Sequence, residues 1–194
     1  MIQRGIYFLL LLLLSLGCNR SSSPHYARVI LNEVAPDNGR FGRLTAAGDE
    51  VPPGYEGETI TPDWIELYNP GDAAVDLTGY YLSDDAESPR EWRFPQGVRI
   101  EPKGYLTVWT GGDFPGKLSA SFGLTEETGE TVVLASPDGY TILDETSFPP
   151  MERDIAWARL ETADGETVWK KTARPTPAGP NLAAGLYVRF VDVS

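Results

Sequence analysis

The side chains able to do chemistry fall into a short inventory, and it is dominated by carboxylates. Nucleophilic catalysis of the Ser-His-Asp or Cys-His kind needs an imidazole beside the nucleophile. The 194-residue chain holds one histidine, His25, and one cysteine, Cys18, both near its start. Neither arrangement is supported, and a zinc site of His and Cys ligands fails for want of ligands. Asp and Glu number 28. A glycosidase needs two carboxyl groups about 5–10 Å apart across a cleft. Asp63 and Glu66 flank Trp64, which raises a carboxylate-dependent hydrolase as the weakest of the readings, because charges on the solvated face of a strand are the ordinary case. No catalytic residue is assigned. Calcium takes several oxygen ligands from loops, and two clusters offer them: Asp37, Asn38, Asp49, Glu50, Glu56 and Glu58 in one stretch, and Asp84, Asp85 and Glu87 in another. Neither has EF-hand spacing, so calcium stands as an alternative and no metal ligand or resident cofactor is assigned.

Charge narrows the partners. The formal net charge is -12, and removal of residues 1–17 would delete one base, Arg4, making it more negative still. Nucleic-acid binding needs Lys and Arg to displace counterions from phosphate, so nucleic acid is not an expected partner. An acidic, solvated surface explains the composition without a ligand.

Cys18 is informative by its position. Residues 1–4 are short and basic, residues 5–14 are almost wholly apolar with Leu9 to Leu14 unbroken, and Ser15-Leu16-Gly17 precedes the cysteine. A basic start, about ten apolar residues and a small-residue end describe a secretory signal, too short for the roughly 20 apolar residues of a membrane span. The segment resembles the lipobox of bacterial lipoproteins, with Ser15 where a leucine usually stands and Leu14 one position further back. The resemblance implies lipid attachment at Cys18. The expected organisation is a signal peptide over 1–17, a lipidated, Ser-rich tether over 18–26, a folded domain over 27–181, and an extension or edge strand over 182–194. The expected location is the bacterial cell envelope, the membrane being engaged through the lipid; Asn19, rather than aspartate, after the cysteine points by analogy to the outer membrane.

The elements that must position any site read as strands. Residues 28–34 form a β-branched run, and Asp63-Trp64-Ile65-Glu66-Leu67-Tyr68 alternates, placing Ile65 and Leu67 on one face. Further short runs cover 75–77, 80–82, 92–94, 97–100, 105–109, 131–134, 140–143, 155–160 and 168–169, separated by Gly, Pro, Asn and Asp. Many short strands at such spacing predict an all-β sandwich or barrel. Two breaks, 36–62 and 111–121, predict long loops. The proline-bearing stretch 172–181 predicts an extended, non-helical tail. Gly79 and Gly104 are expected at turns that need positive φ, and Asn32 and Asn69 are expected to bond local backbone at strand ends. Trp64, Trp92, Trp109 and Trp157 are expected to pack. Tyr80, Tyr81, Trp92 and Tyr105 are the aromatic residues available for stacking a sugar, which makes carbohydrate a second alternative ligand.

Taken in order, Ile30-Leu31-Asn32-Glu33-Val34, Asp63-Trp64-Ile65-Glu66-Leu67-Tyr68-Asn69 and Leu77-Thr78-Gly79-Tyr80-Tyr81-Leu82-Ser83-Asp84 resemble a bacterial lamin tail domain. So do Trp92-Arg93-Phe94-Pro95, Ile100-Glu101-Pro102-Lys103-Gly104-Tyr105-Leu106, Gly129-Glu130-Thr131-Val132-Val133-Leu134, Pro137-Asp138-Gly139 and the closing Pro175-Thr176-Pro177-Ala178-Gly179-Pro180-Asn181. The resemblance covers about residues 29–181. It implies an immunoglobulin-like β-sandwich and a non-catalytic module of interaction or structure, whose partner would be an envelope or extracellular protein or polysaccharide. Fold analogy alone does not fix activity.

Overall fold

The computed structural model describes residues 26–41, 44–45, 59–114, 116–162 and 164–182. Cys18, His25, the signal, all of the tether but Tyr26, Asp49, Glu50, Glu56, Glu58 and nearly all of 182–194 lie outside the described residues. Every α- or β-element among those described is a strand. They are β1 (Ile30–Ala35), β2 (Leu44–Thr45), β3 (Thr59–Ile60), β4 (Asp63–Tyr68), β5 (Val75–Asp76), β6 (Tyr81–Ser83), β7 (Trp92–Arg93), β8 (Arg99–Ile100), β9 (Tyr105–Thr110), β10 (Ser119–Ala120), β11 (Glu130–Ala135), β12 (Ile142–Phe148), β13 (Ala156–Glu161) and β14 (Thr167–Thr172).

Two sheets face each other. The larger runs β10-β9-β4-β1-β13-β14 and the smaller β12-β11-β6-β7, with two-stranded ribbons β2-β3 and β5-β8 beside them. All pairs are antiparallel except β9 with β10. The inner faces interdigitate as a sandwich core. Leu31, Val34, Ile65, Leu67 and Val108 come from the large sheet, Leu82, Val132, Leu134 and Phe148 from the small one. Leu67 is fully buried, and a leucine so placed contributes roughly 2 kcal/mol of transfer free energy.

The outer face of the large sheet differs from that of a simple sandwich. β1 and β4 are buried on both faces, whereas no residue of β14 at the edge is fully buried. Ala35, Trp64 and Ala156 form a second small cluster on this outer face, with Trp109 packed against it. Residues 173–182 then return across the same face, and their polar bonds reach β1, β4 and β13.

The sandwich is closed at one side by charge. Asp144 on β12 pairs with Arg159 on β13 and accepts the Leu31 N–H at 2.8 Å. Arg159 in turn donates to the Leu31 carbonyl at 2.6 Å and lies over the Trp169 ring, itself stacked with Trp157.

Several expectations need correction. β12 runs to Phe148 instead of ending near residue 143, because its polar residues bond across the sandwich edge and carry no hydrophobic alternation. The expected loop 111–121 contains β10, a two-residue parallel pairing too short to register in a periodicity. The expected loop 36–62 likewise contains the β2-β3 pair. Gly79 has φ +84°, as its turn requires, but at the turn before β9 Lys103, not Gly104, holds the positive φ (+55°). Gly104 is needed there for closeness, since a Cβ would lie 2.9 Å from the Glu101 carbonyl oxygen. Asn69 does bond local backbone, accepting from Gly71 N–H and donating to the Ala73 carbonyl. Asn32 does not: it sits at the bulge between Leu31 and Glu33 and donates to a carboxylate on the next strand.

Candidate functional site

A groove of about 760 Å³ lies between the β6-β7 connection and the β11-β12 turn. Pockets of this size suit small ligands or an inserted peptide side chain. Its two walls are built by different means.

One wall hangs from Ser83, which is fully buried at the end of β6. Its hydroxyl accepts the Asp85 N–H at 3.0 Å and lies 2.9 Å from the Ser88 carbonyl and 3.1 Å from Glu91 Oε2. Asp85 Oδ1 accepts the Glu87 N–H, an Asx turn that shapes the loop. Asp84 is pushed up to about 7, first by burial and then by hydrogen bonding and charge repulsion from Glu91.

The other wall is the turn Ser136-Pro137-Asp138-Gly139. Asp138 Oδ1 accepts from Tyr140 N–H, Thr141 N–H and the Ser136 hydroxyl at 2.7–2.8 Å. Its Oδ2 accepts from Thr141 Oγ1 at 2.8 Å and Tyr26 OH at 3.2 Å. These bonds hold the Asp138 carboxyl well below the usual carboxylate range. The turn presents Tyr140, 73% exposed, and Ile142, 39% exposed. Arg90 from the opposite wall lies over the Tyr140 ring, 4.8 Å from its centre. Gly139 (φ +73°) admits that guanidinium stem, because a Cβ there would meet Arg90 Cδ at 2.2 Å. The groove therefore joins an acidic rim to an exposed aromatic and aliphatic floor.

Asp84, Asp85 and Glu87 thus share one groove, as their spacing suggested. Still, among the described residues no three or more His, Cys, Asp or Glu side chains converge to hold a metal ion. The sugar-stacking candidates scatter. Tyr80 is buried in the core against Tyr26, Tyr81 lies under Arg93, Trp92 packs on Phe94, and Tyr105 stacks on Tyr68 at 4.7 Å between ring centres. Trp64, Trp92, Trp109 and Trp157 pack in the core or at its margins, as expected.

Asp63 and Glu66 do not form a glycosidase pair. Three residues apart on β4, they point to opposite faces. Asp63 lines a smaller cavity of about 260 Å³ with Thr110 and Phe114 and accepts the Asn38 N–H at 3.0 Å; burial pushes it up to about 6. Glu66 lies on the outer face and is not solvated at all. This corrects the expectation of a surface charge.

Glu66 meets Glu33, its register partner on β1, and both are fully buried. Glu66 Oε1 accepts from Asn32 Nδ2 at 2.8 Å, and Oε2 from the Ala178 N–H. Glu33 Oε2 accepts from Thr176 N–H at 2.9 Å and Thr176 Oγ1 at 3.3 Å, while its Oε1 has no partner. Burial pushes both carboxyls up to about 7; repulsion by Glu66 adds to the shift at Glu33. The amides that reach them belong to a turn, closed by Gly179 N–H to the Thr176 carbonyl at 3.0 Å. Pro177 occupies its second position and Ala178 (φ +61°) its third, the pattern of a type II turn. Asn181 then ties the segment to the carbonyls of Asn32 and Arg159 at 2.8 and 2.9 Å. Alternation alone sends Glu33 and Glu66 to the outside of a strand, and sequence reasoning missed their burial. A usable signal was present: Asn32-Glu33, Glu66 and the segment 175–181 all lie within the stretches that carry the family resemblance, and they meet at this one point.

No curated protein matches the chain. The family model of the lamin tail domain matches residues 22–149. The structure carries the same fold beyond that limit, since β13 pairs with β1 and β14 with β13. The match spans well over half of the chain, so this protein belongs to the lamin tail domain family, a non-enzymatic, immunoglobulin-like fold.

Proposed function

We propose that the chain is a non-catalytic interaction module of the bacterial envelope, held at a membrane by lipid on Cys18 and engaging a protein or polysaccharide through the groove between residues 84–91 and 139–142. The observation that carries the anchoring is positional. The apolar segment closes just before Cys18 and the family match opens at residue 22, so the cysteine stands a few residues ahead of the matched module, which supports reading it as the anchor. Acyl chains contribute about 0.8 kcal/mol per buried CH₂, and two or more chains anchor durably. The groove supports the interaction role because it gathers Tyr140 and Ile142, two of the exposed large hydrophobic side chains among the described residues, beside Arg90. Aromatic and Arg side chains with exposed apolar area are what binding surfaces use.

The experiment is intact-mass analysis and cell fractionation of the full-length protein beside Cys18→Ala. Loss of residues 1–17 with added acyl mass, and membrane association in the native form alone, is the expected result. A mature, unacylated chain in the soluble fraction would remove the anchor from this reading.

A further inference from the structure

We propose that the turn at residues 176–181 is a proton-gated latch, seated on the Glu33/Glu66 pair while that pair holds a proton and lifting when both carboxyls ionise. The geometry sets the two acids against each other. They are direct register partners on neighbouring antiparallel strands, where opposed Cβ atoms lie about 5 Å apart. Neither is exposed to water, so two negative charges there are neither screened nor solvated.

Among the described residues, no cation is bonded to either acid. From β9 the row is Thr107, with Tyr105 in the next row stacked on Tyr68 of β4. From β13 it is Ala158. Lys170 on β14 is two strands removed from Glu33 and exposed. Arg159 is committed to Asp144 and the Leu31 carbonyl. The segment 173–182 has a single charged residue, Arg174, ahead of the turn. Among the described residues, the pair is held by hydrogen bonds from Thr176 N–H, Ala178 N–H and Asn32 Nδ2, with Thr176 Oγ1, 2.8 Å from Asn181 Oδ1, lying 3.3 Å from Glu33. Glu33 Oε1 lacks even that. A neutral carboxyl tolerates such an atom far better than a charged one does.

The direction of the response follows from linkage. Both acids sit above their ordinary value, at about 7, so the seated state is favoured in full at low pH and loses ground as pH rises through about 7. The turn is the part that yields. Water reaches the carboxylates if the turn lifts, at the loss of its bonds to Glu33, Glu66, Asn32 and Arg159. The other route opens the β1-β4 pairing and the core beneath it. Pro175, Pro177 and Pro180 keep the released segment from joining a sheet.

The test is residue-resolved amide hydrogen exchange on the full chain at pH 6 and pH 8.5, each corrected for the intrinsic exchange rate. The expected result is that protection at Thr176 and Ala178 falls by about tenfold or more, while Leu67 and Val108 keep theirs. Glu33→Gln retains an acceptor for Thr176 and removes one charge; its turn amides are expected to lose less protection between the two pH values than those of the native protein, because Glu66 alone is left to ionise. Unchanged protection at Thr176 and Ala178 in the native protein would overturn the proposal. So would an equal loss at Leu67, which would make the event global unfolding. The native comparison decides even if the Gln variant fails to fold.

Discussion

Asp138 and the Glu33/Glu66 pair carry the same functional group in opposite settings. Asp138 stands at the surface on the small sheet's β11-β12 turn and accepts five hydrogen bonds, four of them from its own turn. Every bond favours its charged form, so ionisation and structure reinforce each other. Glu33 and Glu66 are sealed on the large sheet, with fewer donors than lone pairs and each other for a neighbour. There the structure favours the proton. A carboxylate is a fixed staple when its donors come from its own turn, and a titratable joint when they come from a segment laid over it.

The sharpest way to break the contrast is Glu66→Ala. It strands Asn32 Nδ2 and the Ala178 N–H in a buried site, and each unsatisfied group costs about 1–3 kcal/mol. The expected loss is about 3 kcal/mol in denaturant unfolding at pH 6; a loss below about 1 kcal/mol would mean the pair is better hydrated than its burial indicates. Next comes pH itself. Raising the pH from 6 to 8.5 carries both acids through their folded-state range while their unfolded counterparts are already ionised, so stability should drop by roughly 2 kcal/mol. A flat profile across that interval would contradict the buried pair. Asp138→Ala sharpens the other side. Its carboxyl is depressed, so its contribution is present above the unfolded value and lost only in acid. The variant should therefore lose the same increment of melting temperature at pH 6 and at pH 8.5. Ala178→Gly tests the turn over the pair. Ala pays about 1 kcal/mol for its left-handed conformation, and the unfolded-state entropy of glycine offsets part of the relief. A gain of about 0.5 kcal/mol is expected in thermal unfolding. Smallest is Tyr140→Ala in the groove, expected within about 0.5 kcal/mol of native stability, which makes it a clean probe of binding.

The fold was largely legible because its strands advertise themselves. β4 is bounded by Pro62 and Pro70 and alternates cleanly, and β9 and β11 are dense in β-branched or aromatic residues. β12 was cut short because Asp144, Glu145, Thr146 and Ser147 carry no apolar period, although Asp144 makes the bond that closes the sandwich edge. Of the groove, the acidic wall could be picked out as Asp84, Asp85 and Glu87. The aromatic wall could not, because Tyr140 lies 53 residues or more from that acidic stretch and only the β6-β11 pairing brings them together. The buried acids were the least legible. Glu33 and Glu66 occupy outward positions, and what covers them lies more than 100 residues downstream.

Tyr26, the first described residue, bonds Asp138 at the turn that forms the groove's aromatic wall. Were Cys18 the point of attachment, the eight residues from it to Tyr26 would make a leash of at most about 29 Å. Its pivot would sit beside the groove rather than at the far end of the domain. Such a mounting confines the groove to a shallow hemisphere close above the lipid headgroups, favouring ligands that lie flat along the surface over those standing far out from it.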